Sequence, residues 1–412
     1  MKKLYILLIA IFGLNTTHAQ WVLQNSGTTA FLADVFFTSS NTGYAVGYNS
    51  TDSVGVIIKS TDTGTTWATI YNLPHKGLSS IYFIGENTGY VVGDSGTILK
   101  TTNAGNTWIE LSSGVTDYLW SVFFTDTITG YILTYEYYCR GKILKTNNGG
   151  MTWTLSLADS TIGFFGIYFT NENTGYVVGH TDLGEGMFLK TVDAGTTWTF
   201  SSSGRECGYN SVFFANPNIG YAVGGSMAFA KTIDAGLTWT TNECGPALSS
   251  SFSDVCFTDV STGYAIAMTT NETGIIYKTN DGGDSWSPNF GSGLEGTYYN
   301  SVFFPCVDTG YVVGTNGTIL KTTNGGLPVG IKNPPLFTEY LMIYPNPAST
   351  TITIETPSKC SLSILNFTGQ QLLQQGITES TTTLDVSGLP SGIYVVKLAG
   401  EKGMQVGKFI KH

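Results

Sequence analysis

Short apolar runs recur along this chain at a nearly constant interval, and each is followed about eight residues later by a Gly-Tyr pair. The runs include Val35-Phe36-Phe37, Ile81-Tyr82-Phe83, Val122-Phe123-Phe124 and Val302-Phe303-Phe304, all rich in the β-branched and aromatic residues that suit a strand. The pairs end at Tyr44, Tyr90, Tyr131, Tyr176, Tyr221, Tyr264 and Tyr311, spaced 46, 41, 45, 45, 43 and 47 residues apart. A second strand starts at each Gly-Tyr, a third reads like Thr97 to Lys100, and a fourth starts at a tryptophan. Four short strands in a period of this length predict a propeller blade. Because the runs are continuous rather than alternating, both faces of each blade must be covered by neighbours. Seven blades around an axis provide that cover, and closing the circle removes exposed sheet edges.

Between the third and fourth strands lies an eight-residue element of form S/T-x-D/N-x-G-x-S/T-W. It runs over 60–67, 101–108, 146–153, 191–198, 232–239 and 279–286, with Asp62, Asn103, Asn148, Asp193, Asp234 and Asp281 at its third position. The Asp or Asn side chain is suited to accept backbone N–H bonds in a turn, Gly to supply positive φ, and Trp to pack between sheets. This element resembles the Asp box of sialidase-like and BNR-repeat propellers. A seventh copy starts at Thr322 with Asn324 in place, then breaks at Leu327-Pro328 without a tryptophan. Trp21 to Gly27 reads like the outer strands that begin at Trp108 and Trp198. The N-terminal stretch is therefore expected to supply the fourth strand of the seventh blade.

After a proline-bearing linker the Asp boxes stop, and Tyr344-Pro345-Asn346-Pro347, then Gly392-Ile393-Tyr394, then a basic end at Lys408 and Lys411 follow. This segment resembles the C-terminal sorting domain of the type IX secretion system of Bacteroidota. The resemblance implies a small β-sandwich read by an outer-membrane translocon, hence passage through the periplasm to the cell surface or the extracellular space. At the other end, Lys2-Lys3 ahead of an apolar run from Leu4 to Leu14 and a small residue at Ala19 predict a signal peptide. The expected organisation is a signal peptide over 1–19, a propeller over 20–328, a linker over 329–336 and a sorting domain over 337–412. No apolar run reaches the length of a transmembrane helix. The blade pattern also resembles the photosystem II stability and assembly factors, as in Tyr90 to Gly93 and Gly96 to Trp108. That family's assembly role is tied to an arginine-rich surface, so the fold is carried over and the photosynthetic role is not.

Charge narrows the function further. The chain has 19 Lys plus Arg, 29 Asp plus Glu and a formal charge of −10. Its only arginines are Arg140 and Arg205, which makes it a poor match for a nucleic-acid backbone. Two arginines also cannot form the three-arginine clamp with which sialidases hold a carboxylate. Acids such as Glu136, Asp182, Glu185, Glu206 and Glu295 share no paired-carboxylate motif. The propeller's histidines, His75 and His180, sit in no nucleophile motif. A metal site at His180, Asp182 and Glu185 is set aside as a polar loop, so no metal and no cofactor is expected. Among six cysteines, Cys207 and Cys244 fall in adjacent interblade links and are the pair placed for a disulfide.

Binding is what remains. The loops between second and third strands are longest in repeats one, three, four and six. Repeat three adds Tyr135, Tyr137, Tyr138 and Arg140 near Trp120 and Phe165. At the positions of Trp120 and Phe165 the other repeats carry Ala33, Ser79, Asn210, Ser253 and Asn300. Aromatics grouped with an arginine suit contact with a glycan or a protein. The expectation is an exported, non-catalytic propeller for binding, adhesion or assembly that engages the type IX machinery through 337–412. The competing reading is an extracellular glycan-active hydrolase.

Overall fold

The computed structural model describes residues 21–136, 140–242, 250–269, 273–291, 296–327, 341, 343–355, 360–366, 370–400 and 403–412. The chain divides into two compact units, Met1–Pro328 and Val329–His412.

The first unit is a seven-bladed β-propeller of four-stranded antiparallel sheets. The innermost strands, Phe31–Phe37, Leu78–Ile84, Tyr118–Phe124, Ile162–Phe169, Tyr209–Phe214, Ser251–Phe257 and Tyr299–Phe303, each touch the next, and the last touches the first. Six blades are continuous in sequence. The seventh orders its strands as Tyr299–Phe303, Gly310–Gly314, Ile319–Thr322 and then Val22–Leu23, with Val22 opposite Lys321 and Leu23 opposite Leu320. The ring is therefore closed by the N-terminal strand.

Packing at the seam repeats packing elsewhere. Trp67 meets Phe37 edge-on at 5.8 Å and 90°, and Trp286 meets Phe257 at 5.9 Å and 84°. Trp21 meets Phe304 in the same way, at 5.9 Å and 88°. Its indole N–H donates to Asn289 Oδ1 in the sixth blade at 2.8 Å.

The Gly-Tyr pair and the apolar run form one interblade device. The tyrosine ring of each blade stacks on the last phenylalanine of the next inner strand, as in Tyr90 on Phe124 at 3.9 Å and, across the seam, Tyr311 on Phe37 at 3.9 Å. The glycine lies beneath its own blade's phenylalanine, and a Cβ on Gly130 would come within 2.5 Å of the Phe124 ring. In six of the seven blades the tyrosine hydroxyl then donates to a carbonyl in the next blade's Asp-box turn, as from Tyr90 to Gly149 at 2.8 Å and Tyr311 to Thr63 at 2.6 Å, while Tyr221 donates to Val260 O. Lysines of the third strands reach the same turns, Lys100 to Gly149 O and Lys278 to Gly325 O, both at 2.7 Å. These lysines bolt blades together rather than charge the surface.

The second unit pairs a three-stranded sheet, Ile343–Tyr344, Thr351–Glu355 and Thr381–Asp385, with a four-stranded one. The latter runs Gln371–Ile377, Cys360–Leu365, Gly392–Gly400 and Gly403–Lys411. Ile352, Ile354, Leu362, Ile364, Val396 and Phe409 are fully buried in its core.

Candidate functional site

Strand register places the two ends of the propeller. In the third blade Phe124 pairs with Gly130 and Gly130 with Thr146, where the Asp box starts, while Tyr118 pairs with Tyr135 at the far end. Loops between second and third strands thus emerge opposite the Asp-box turns.

Each Asp-box side chain is absorbed by its own turn. Asp62 Oδ1 accepts from the N–H of Thr65 at 3.1 Å and of Thr66 at 2.9 Å, and Oδ2 accepts from the Thr66 hydroxyl at 2.6 Å. Asp193, Asp234 and Asp281 accept from Thr197, Thr238 and Ser285 in the same way. Asn103 and Asn148 accept the backbone N–H and donate to the hydroxyl of Thr107 and Thr152. Asn324, lacking those partners, donates to Leu327 O at 3.0 Å. These bonds hold Asp62, Asp193 and Asp234 at about 2 and lower Asp281 too. Carboxylates so placed face their own backbone. The residue before the Asp-box glycine also takes positive φ, as at Thr63, Ala104, Ala194 and Ala235, a demand the motif did not announce.

Opposite these turns, at the rim of the axis, Trp120, Tyr135 and Phe165 form a three-ring cluster. Trp120 lies 5.8 Å from Tyr135 and 5.5 Å from Phe165, the latter edge-on, and Tyr135 lies 5.8 Å from Phe165. Tyr118 adds a fourth ring at 5.8 Å from Trp120, and His180 stacks on Phe165 at 5.0 Å. Trp120 is 38% exposed, whereas Trp21, Trp67 and Trp108 are buried. Arg140 is exposed, and Tyr137 and Tyr138 lie outside the described residues. Tyr118 sits at a position that reads as ordinary strand and gives no signal in the sequence, whereas His180, expected in a polar loop, lies in the strand Gly175–Thr181 opposite Gly163. Cys207 is disulfide-bonded; Cys244 lies outside the described residues, as does Cys139. Cys256, Cys306 and Cys360 are free. Among the described residues no His, Cys, Asp and Glu group suited to a metal ion occurs.

Two acids that belong to no motif, Asp34 and Asp254, lie on the inner strands. Asp34 accepts from Ser80 Oγ at 3.0 Å and Ile81 N at 2.9 Å in the second blade, and from Ser301 Oγ at 2.9 Å in the seventh. Asp254 accepts from Ser211 Oγ at 2.7 Å in the fifth blade and Val302 N at 3.0 Å in the seventh. Each carboxylate clasps two neighbouring blades. Every one of these partners is neutral, so burial dominates and pushes Asp34 upward and Asp254 up to about 6. Their sequence signal was an acid inside an apolar inner run, where other repeats carry Ser or Gly.

A pH profile follows with opposite signs for the two sets. An unfolded Asp titrates near 4, so a raised native value means the folded state holds a proton the unfolded chain has released. The contribution of Asp254 is present below about 4 and lost as pH rises through about 6, and that of Asp34 is lost in the same direction as pH rises. The Asp-box carboxylates contribute above about 4 and lose that contribution as pH falls through about 2. The melting temperature should peak near pH 4–5 and decline on both sides. Asp254→Asn should lower it overall, because an amide N–H faces Val302 N–H, yet flatten the slope between about pH 4 and 7. A series of melts across pH with both chains checks this, and an unchanged slope would refute it.

Residues 342–412 match the secretion system C-terminal sorting domain. Residues 14–163 match the photosynthesis system II assembly factor YCF48 family. No curated protein matches the chain in sequence. Among solved structures, YCF48 bound to D1 peptide is similar at 18% identity and a TM-score of 0.58, covering 74% of this chain and 97% of that one. YCF48 from Cyanidioschyzon merolae gives 18%, 0.57, 73% and 98%. PorZ of Porphyromonas gingivalis, described as an essential bacterial surface component of the type IX secretion system, gives 13% identity and a TM-score of 0.54. That match covers 94% of this chain and 60% of PorZ. These structural likenesses establish a β-propeller fold. The sorting domain establishes export across the outer membrane, to the cell surface or the extracellular space, through the type IX machinery.

Proposed function

We propose that this exported propeller is a non-catalytic binding and assembly scaffold, and that the rim cluster of Trp120, Tyr135 and Phe165 is its ligand-contacting surface. The observation that carries the reading is the three-ring contact itself, at positions where five of seven repeats place a small or polar residue. An exposed indole beside two further rings offers a flat apolar face, and Arg140 in the adjoining loop adds a directional cation for a carboxylate or a hydroxyl-rich ligand. The ligand class is an extracellular glycan or an extended polypeptide. The solved YCF48 complex with a D1 peptide supports the polypeptide side by analogy of fold. A Cys207–Cys244 bond would tie the link between the fourth and fifth blades to the link between the fifth and sixth.

The hydrolase reading asks for an acid pair beside the bound ligand. Glu185, one of the loop acids near this face, is engaged by the Ser202 hydroxyl, and the Asp-box acids are spent in their turns. The test is a glycan and peptide array read with the mature chain and with a Trp120→Ala/Phe165→Ala variant. Retention by the wild type, loss of about tenfold or more in the variant and an unchanged melt are expected, since anchor aromatics contribute about 2 kcal/mol or more. Cleavage of an arrayed polysaccharide, or equal binding by the variant, would overturn the proposal.

A further inference from the structure

A second site emerges at the other mouth of the axis. Second residues from the end of successive inner runs meet ring to ring: Phe36 with Tyr82 at 5.3 Å, Tyr82 with Phe123 at 4.8 Å, and Phe123 with Tyr168 at 5.6 Å. Phe213 and Phe303 extend this collar, from Tyr168 at 5.3 Å and from Phe36 at 5.0 Å. At the Asp-box end it opens into a cavity of about 530 Å3, walled by Tyr82, Phe123, Phe124 and Phe169 and rimmed by Thr125 and residues 170–173.

The rim of this cavity carries one carboxylate, Glu172, at a loop position that the second blade also fills with an exposed acid, Glu86, outside the cavity lining. In the corresponding loops Asp126 and Asp259 are consumed by their own turns, accepting from Ile128 and Thr129 and from Ser261 and Thr262. In the fourth blade Asn171 does that work, accepting from Asn173 N and Thr174 N, both within 2.9 Å. Glu172, the next residue, is exposed at the cavity edge and is not drawn into the turn. No lining residue is cationic. The lysines of the adjacent blades, Lys100 and Lys145, are committed to Gly149 O and Ala194 O. Two residues before Phe36 of the collar and before Cys256, which holds the matching position in the sixth blade, stand Asp34 and Asp254, whose hydrogen-bond partners are all neutral.

We infer that this mouth is a docking site for the cationic side chain of a partner polypeptide, a lysine whose stem lies against Tyr82 and Phe123 and whose ammonium is shared between those rings and Glu172. Aromatic walls attract a cation through the ring quadrupole, and a nearby carboxylate fixes its position. Neutral ligands gain nothing from the charge, and anions are repelled by it. The site is distinct from the rim cluster, which sits at the opposite end of the blades, so either can fail without the other.

The test is calorimetric titration of the mature chain with a blocked tri-lysine peptide and with its fully Nε-acetylated counterpart. The lysine peptide should bind, acetylation should weaken it by about tenfold or more, and Glu172→Gln should do the same without changing the melt. Glu206→Gln, an exposed acid in an interblade link, controls for general attraction to an acidic surface and should leave affinity unchanged. Absence of binding, equal binding of the acetylated peptide, no effect of Glu172→Gln, or an equal effect of Glu206→Gln would each overturn the inference.

Discussion

Deleting residues 20–27 from the mature chain should lower the melting temperature by roughly 10 °C or more, far beyond the effect of trimming a free end. The deletion removes Trp21, which is 5% exposed and wedged between Phe304 and Tyr264. It also strips the strand partner from Ile319–Thr322. A buried aromatic truncated to alanine typically costs about 3–5 kcal/mol, so Trp21→Ala alone should be severe. Trp67→Ala provides an internal standard, because Trp67 fills the equivalent place within a blade that is continuous in sequence. If the N-terminal strand is a full member of the ring, the two substitutions should cost about the same. The deleted chain should also self-associate, since an unpaired edge now faces solvent. Thermal melts and sedimentation measure both effects, and an unchanged melt would mean that closure does not depend on this strand.

Removing residues 342–412 should abolish delivery across the outer membrane while leaving the propeller folded. The tail has its own core, and its final strand, Gly403–Lys411, pairs along the whole of Gly392–Gly400. Truncating only that strand would expose the four-stranded sheet's edge and remove buried Phe409, so a cut after residue 402 should be as damaging as loss of the whole tail. Cell fractionation should find both truncated chains in the periplasm and the full chain outside. Export of either truncated chain would assign the address to another part of the molecule.

The blades were legible because their period is imposed by physics: each needs a stacking pair, a turn and a tryptophan at fixed offsets. Even the broken seventh copy was readable, since the missing tryptophan at Leu327-Pro328 had a counterpart at Trp21. Trp120 and Phe165 stood out by departing from their own repeat position. Other features left little trace. Asp34 and Asp254 act through neighbours that lie in other blades, Ser80, Ser211 and Ser301, so their role depends on contacts between distant repeats. The cavity at the Asp-box mouth is assembled from the second, third and fourth blades at once. Positive φ at Ala104, Ala194 and Ala235 follows from the turn geometry and not from residue type.

Tryptophan fluorescence quenching offers the most direct test of the rim cluster as the ligand surface. The chain has 8 tryptophans; among those described, Trp120 stands apart as exposed, at 38%. A neutral soluble quencher should therefore report mainly on Trp120, and a Trp120→Phe variant should lose the readily quenched component. With the strongest array ligand at saturation, that component should disappear from the wild-type chain. If the ligand is bound and Trp120 remains as quenchable as before, the ligand sits elsewhere and the account of the rim is contradicted.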